Sequence, residues 1–440
     1  MKKFFTTLKN IWSIVELRDK ILITLGFIVI FRVGSFIVLP GLDANIIKDP
    51  SRKVEGLLGL LDTFSGGAFS NASIFALGIM PYISASIVIQ LLTVAMPYFQ
   101  KMQKEGESGR KRINQITRVL TIFICMSQSV AFIKGTIPSE AIVINEAIFF
   151  FLSMIILTSG TIFCMWLGEK ITDKGIGNGI SMLIMVGIIS SFPTQLLAEM
   201  FSKGLSGALL FILEIVALFF VIMAIVALTQ AVRKIPVQYA KQIVGNKVYG
   251  GQRQYIPLKV NSAGVMPIIF AQALMFIPGM LGNYFAESNE FLANIGFAFA
   301  SFTSPAYNIL LATLIIIFTF FYTAITINPT QIADDMKRNG GFVPGIKPGK
   351  QTSEFIDGIL TKITLPGSIF LAIIAIMPAF AAIAGVTQGF ATFYGGTSLL
   401  IMVGVILDTL QQIESYLLMR HYEGMMKSGK IKGRSQVAVA

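Results

Sequence analysis

Charge is scarce in this sequence. Of its 440 residues only 13% are Asp, Glu, Lys or Arg, about half the usual share of a soluble domain. That is too few to coat a water-facing surface of this size. Histidine is nearly absent: a single residue, His421, excludes a histidine-built metal site. The two cysteines, Cys125 and Cys164, both fall inside apolar runs, so they read as small buried thiols and make no disulfide framework. Catalytic patterns are missing too. Between Gly345 and Gly349-Lys350 stand three residues where a phosphate-binding loop has four, and Gln351 then offers no hydroxyl to magnesium. Gly175-Ile176-Gly177-Asn178-Gly179 follows no strand, and neither G-x-S-x-G nor H-E-x-x-H occurs. The expectation is a protein that is not an enzyme and takes no cofactor and no metal.

What the sequence does have is apolar length. Hydrophobic residues make up 54% and the mean hydropathy is +0.73. Runs of about 18–25 apolar residues, enough to cross the hydrocarbon core as helices, alternate with short charged segments. Ten spans are expected, at Ile21–Leu39, Ile74–Tyr98, Ile116–Phe132, Ile148–Leu167, Ile180–Leu197, Leu205–Val232, Val260–Phe285, Ile309–Ile327, Ile359–Ile383 and Leu399–Met419. The first run is span-length and lacks a small-residue cleavage site, so it reads as a retained span and not as a cleaved signal.

The basic residues orient these spans. Of the 35 Lys and Arg, all except Arg32, Lys48, Arg52, Lys53, Lys134 and Lys203 fall in the tails and the even-to-odd loops or, like Arg118 and Lys362, in the first turn of the span that follows one. The positive-inside rule then puts both termini in the cytoplasm of a bacterial-type inner membrane. The net charge of +12 is mostly this topology signal and does not call for nucleic acid.

Gly78-Ile79-Met80-Pro81-Tyr82-Ile83 and Gly264-Val265-Met266-Pro267-Ile268-Ile269 share the pattern G-[IV]-M-P-x-I. The copies sit five spans apart, so they cross in opposite directions and suggest two inverted halves meeting near Met200–Leu205. The segment Leu57–Ala68 is apolar but too short to span, and Gly66-Gly67 interrupt it. It reads as a re-entrant helix or as an amphipathic surface helix. Two long loops, Arg233–Lys259 and Pro329–Gly358, alternate apolar and basic residues. The first, with a Gly245-Asn246 turn, suggests a hairpin projecting into the cytosol, and the second has a rigid, turn-rich tip. Arg32, Glu214, Asp408 and Glu414 put charge inside spans, which reads as a functional site or as ion pairs that fix packing. On these features alone, a protein-conducting channel and a secondary transporter of a small solute are both open.

The motifs, taken in order, carry a resemblance. Ser73 through Ile87, Trp166-Leu167-Gly168-Glu169 with Gly175 through Ser181, Lys104 through Arg110, Pro257 through Asn261, Phe342 through Ile346 and Gly395 through Leu400 resemble the signatures of the SecY family over essentially the whole chain. The resemblance implies an all-α membrane protein, with ten transmembrane helices in two inverted, pseudo-symmetric five-helix halves, residues 1–202 and 203–440. These would form a clamshell around a central pore with a lateral gate to lipid.

It also implies functional positions. The pore ring falls on Ile79, Ile83, Ile180, Ile184, Ile269 and Ile401. The plug falls on 57–68, with Leu57, Leu58, Leu60, Leu61, Phe64, Gly66 and Gly67. The partner-binding loops present Arg233, Lys234, Lys247, Arg253, Lys337, Arg338 and Lys347. A ring of apolar side chains blocks ions by dewetting and deforms around a passing chain without specific contacts. Partners implied are SecE and SecG, the SecA ATPase, the ribosome, signal peptides with their precursor chains, and membrane lipids. Lys347 and Asn246 stand where relatives commonly carry Arg, and Lys cannot reproduce the bidentate fork of Arg.

Overall fold

The computed structural model describes residues 12–47, 62, 64–204, 207–239, 242–244, 247–249, 253–272, 274–275, 299 and 301–427. Helices dominate. In chain order the main ones are α1 (Val15–Gly34), α2 (Met80–Ala95), α3 (Pro97–Lys104), α4 (Glu107–Thr136), α5 (Glu146–Lys174), α6 (Gly179–Lys203) and α7 (Ala208–Gln230). After a group of strands come α8 (residues 266–272), α9 (Pro305–Thr326), α10 (Pro329–Arg338), α11 (Lys350–Ile383) and α12 (Gly396–Lys427).

Seven of the described helices are long and apolar enough to cross a membrane, and the bent pair α2–α3 makes eight. This is a multi-pass membrane protein. Of the expected spans, the first forms α1, which carries Glu16, Arg18, Asp19 and Lys20 in its opening turns and is not among those helices. The seventh, Val260–Phe285, lies partly outside the described residues. The second ends earlier than expected, because α2 stops at Ala95 and α3 turns away by 97°. Pro97 is the cause: it supplies no N–H and pushes Met96 into an extended conformation (φ −110°, ψ 124°).

Two compact units emerge. The first is drawn from Met1–Val54, Leu61–Ser191 and Gly404–Ala440, the second essentially from Phe192–Val403. In the first, α4 packs between α2 and α5, and α1 lies on α5. Lipid tails are as apolar as a leucine, so such helices associate through close packing and local polar contacts more than through hydrophobic burial. The α4–α5 seam fits that physics. Thr121, Ser129, Ser153 and Thr161 are buried along it, and the Cys125 thiol lies 3.3 Å from Thr161 Oγ1. Both cysteines are free and buried, as their apolar settings suggest.

In the second unit the two long loops fold together. The hairpin expected in the first of them forms. Strand β1 (Val232–Tyr239) pairs antiparallel with β4 (Arg253–Lys259), from Val232 opposite Lys259 to Gln238 opposite Arg253. At its tip β2 (Gln242–Val244) pairs with β3 (Lys247–Tyr249); the Gly245-Asn246 turn lies outside the described residues. From the other loop, β5 (Gly341–Phe342) adds to the free edge of β1, giving the order β4-β1-β5. Beneath the sheet, Ile235, Val237 and Leu258 pack with Met336, Val343, Ile356 and Leu360 of α10, its following turn and α11. Asn328 starts α10, accepting the amides of Thr330 and Gln331 with its side chain while Pro329 fills the first turn.

The two G-[IV]-M-P copies share a local form. Gly78 and Gly264 both take left-handed backbone, φ +52° and +64°, and a helix begins two residues later in each case. Only glycine adopts that conformation without steric cost. Pro81 and Pro267 then occupy the first turn, where a missing N–H costs nothing.

Candidate functional site: the isoleucine cluster and the turn beside it

Four of the six isoleucines expected in the constriction belong to the first unit. Ile79 immediately precedes α2 and Ile83 lies on its first turn. Ile180 and Ile184 sit one turn apart at the start of α6, so each pair shares a helix face. The structure brings them to one region. Ile79, Ile83 and Ile180 join a cluster with Phe31, Phe75, Cys164, Leu167, Ile171 and Leu183. Ile79 and Ile184, both buried, line a small cavity with Phe31, Leu77 and Leu183. Every one of these five side chains is apolar. A hydrated ion entering beside them would lose water and gain no replacement ligand from these side chains.

Phe64 and Ser65 line the same cavity. The turn around them is held by its own hydrogen bonds. The Asp62 carbonyl accepts from Ser65 Oγ and from the Gly67 amide, both at 3.0 Å. Asp62 Oδ1 accepts from the Ser70 amide at 2.8 Å, and Ser65 Oγ from the Phe69 amide at 3.0 Å. Gly66 and Gly67, at φ +66° and +87°, supply the left-handed backbone that reverses the chain. Leu57, Leu58, Leu60 and Leu61 of the expected plug lie outside the described residues.

The other two isoleucines lie in the second unit. Ile269 is half-buried on α8, and Ile401 is buried on α12. Their helices are tied by a hydrogen bond between Thr397 Oγ1 and Gln272 Oε1 at 3.1 Å.

Of the loop residues, Arg233 and Lys234 are exposed on β1, and Lys337 and Arg338 at the end of α10. Lys347 is exposed on the tip between Gly345 and Gly349, whose φ values are +85° and +103°. Its carbonyl accepts Thr352 Oγ1 at 2.9 Å, which fixes the tip to α11. The sheet therefore gathers basic residues from both loops on one module, which the sequence did not reveal. The backbones of Lys247 and Arg253 lie in β3 and β4; their side chains lie outside the described residues.

Sequence reasoning missed one buried cluster. Glu214, expected as a packing ion pair, lies with its Oε1 2.9 Å from Lys203 Nζ. Lys203 also stands 3.5 Å from Glu199 Oε1 and donates to the Gly385 carbonyl at 2.8 Å. Glu199, fully buried, accepts the Thr387 amide at 3.0 Å and the Thr387 hydroxyl. Tyr394 Oη donates to the Glu214 carbonyl at 2.6 Å, and burial, then Glu214 and Glu199, push its phenol above the ordinary range. Glu199 went unnoticed because the expected span ended at Leu197, which made it look like a solvated helix end. Asp408 and Glu414 are exposed on α12. Among the described residues no group of His, Cys, Asp or Glu could hold a metal ion.

Comparison with known proteins gives a consistent result. The SecY family model matches residues 73–410. A protein translocase subunit SecY from Streptomyces scabiei is 44% identical over 427 residues, covering 94% of this chain and 97% of that one. Two solved structures share the fold. One is of a SecY protein whose plug domain stabilises the closed state of the translocation channel and maintains a membrane seal. It has a TM-score of 0.60 at 18% identity, covering 90% of this chain and 92% of that one. The other is Sec61 in a canine ribosome-channel complex from the endoplasmic reticulum. It has a TM-score of 0.58 at 16% identity, with the same coverage.

Proposed function

This chain belongs to the SecY family of protein translocase subunits, and we propose that it forms the passive pore through which unfolded secretory proteins cross the bacterial cytoplasmic membrane. Ten spans in two inverted halves, residues 1–202 and 203–440, close around that pore, with both termini in the cytoplasm. Ile79, Ile83, Ile180, Ile184, Ile269 and Ile401 form its constriction, and the segment 57–68 is the plug that seals it at rest. A gate between the spans that carry the two G-[IV]-M-P copies releases apolar segments sideways. A helix of about 20 apolar residues gains several kcal/mol by leaving water for lipid, at a few tenths of a kcal/mol per Leu or Ile.

One observation carries the reading: Phe64 and Ser65, at the end of the proposed plug, line the same apolar cavity as Ile79 and Ile184 of the proposed ring. A seal made of a ring and a plug needs that adjacency. A channel for many sequences needs no catalytic group, because its work is to offer a deformable apolar collar while partners supply the energy. The transporter alternative draws no support from membership of this family.

SecE and SecG are the proposed membrane partners, and SecA and the ribosome the cytosolic ones. The β4-β1-β5 module and its neighbouring tip are their docking site, with Arg233, Lys234, Lys247, Arg253, Lys337, Arg338 and Lys347 facing acidic side chains or phosphates. Contacts to rRNA phosphate would position the ribosome without reading sequence. The same basic residues near the membrane also attract anionic lipid.

The test is reconstitution with SecE into liposomes, followed by addition of SecA, ATP and a secretory precursor. ATP-dependent protection of the precursor from protease is expected. No protection, with SecA active on another channel, contradicts the reading.

A further inference from the structure

A cation near the end of an apolar helix needs a reason, because burying its charge is costly unless a partner accepts its protons. Arg32 stands in the last turn of α1, and its Nη1 donates to the Gly66 carbonyl at 3.0 Å. It therefore grips the backbone of the glycine turn at the end of the plug. A second contact meets it there. A Cβ on Gly66 would lie 2.5 Å from Arg32 Nη1, 2.8 Å from Ser190 Oγ and 2.9 Å from the Gly187 Cα. A Cβ on Gly187 would in turn collide with the Phe64 carbonyl. The turn thus presses onto α6 backbone to backbone, with Arg32 closing it on the other side. Downstream the chain stays fixed. The Leu39 amide donates to the Ala72 carbonyl at 3.0 Å and the Ile74 amide to the Ile37 carbonyl at 2.9 Å, pairing Val38 with Ser73.

We propose that Arg32 is a positioning residue that holds the C-terminal end of the plug on α6, and that this end stays there while the channel is open. Plug displacement then pivots at the glycine pair Gly66-Gly67, and residues from Gly66 to Ile74 serve as its fixed mount. The mount directly follows Phe64 and Ser65, which line the cavity with Ile79 and Ile184, so its stiffness decides how well the resting plug seals. This rests on the channel and plug reading above.

Two experiments on the full chain in complex with SecE test it. Arg32→Gln removes the charge-assisted bond, whose loss shifts the balance between a seated and a released mount by about tenfold or more. The ion conductance of resting channels in planar bilayers is expected to rise accordingly, while ATP-dependent precursor transport persists. Arg32→Lys, which keeps a cation, is expected to recover much of the seal. Wild-type conductance in Arg32→Gln overturns the positioning role. The second experiment leaves the glycine turn intact and places spin labels at Ser70→Cys, on the mount, and Ile189→Cys, exposed on α6, the two native cysteines being buried. The distance between the labels is expected to stay the same when a precursor is stalled in the channel. A distance that changes on stalling overturns the fixed mount. If neither wild type nor labelled protein transports precursor, the channel reading has failed and not the anchor. Should Arg32→Gln fail to accumulate, the label pair decides alone.

Discussion

Replacing Lys203 with Met should destabilise this protein more than replacing a surface lysine would. The lysine sits between two buried carboxylates: its side chain is 17% exposed, while those of Glu199 and Glu214 are 0% and 7%. Methionine keeps the apolar stem and removes the charge. Both carboxylates then lose their counter-cation, and the Gly385 carbonyl loses its donor. Breaking a buried pair from one side costs about 3–5 kcal/mol. The lower end applies, about 3 kcal/mol, because Lys203 touches solvent and a carboxylate can relax by taking a proton. Glu214→Gln should cost less, about 1 kcal/mol, since Lys203 keeps Glu199 and one acidic partner suffices for one cation. The double variant should then lose less than the sum of the singles, with a coupling of about 1–2 kcal/mol. The assay is equilibrium unfolding by SDS titration in mixed micelles for the wild type, both singles and the double. A Lys203→Met loss under about 0.5 kcal/mol, the range of an exposed ion pair, would refute the reasoning, as would a cycle that is additive.

Deleting Leu57–Ala68 should make resting channels leak ions in planar bilayers; unchanged conductance would remove the sealing role. Replacing Arg253 and Lys347 with Glu should weaken SecA binding at least about tenfold while membrane insertion stays normal, and equal affinity would sink the docking assignment. Val237→Asp places an unpaired charge in the core beneath the β4-β1-β5 sheet, where Val237 is 1% exposed. It should abolish SecA binding and expose the module to protease without shifting the helices' membrane insertion. Gly109→Val should open the turn between α3 and α4, because a Cβ there would collide with the Met102 carbonyl. Faster proteolysis between Lys101 and Arg112 would report it, and wild-type rates would contradict the packing.

Much of the helical frame was legible because its signals are local. A span announces itself by length, and a left-handed Gly followed by Met-Pro announces a helix start whether or not the rest of the fold is known. Pro97 also carried a readable signal, and the bend at Met96 fell inside an expected span only because apolar content outweighed the proline. The hairpin was visible in its alternation. Its partner was not: the addition of Phe342 opposite Gln238 joins two loops that lie far apart in sequence, and no local pattern encodes that register. Glu199 and Lys203 show the same limit. Each looked like an ordinary charge at a span end, and only tertiary packing puts Thr387, Gly385 and Tyr394 around them. The isoleucines proposed for the constriction are a different case. Composition alone does not single them out and only the resemblance names them; Ile79 and Ile184 line one cavity with Phe64.

Photo-crosslinking of a stalled precursor tests the central claim most directly. A photoreactive residue is placed singly at Ile79, Ile83, Ile180, Ile184, Ile269 and Ile401, and at Leu209 and Leu213, which are 85% and 68% exposed on α7. A precursor arrested midway by a folded C-terminal domain is then irradiated in the reconstituted system. Adducts at the six isoleucines and none at the two leucines are expected if the chain passes through the isoleucine collar. Adducts absent from the isoleucines, or equally strong at Leu209 and Leu213, would contradict the account.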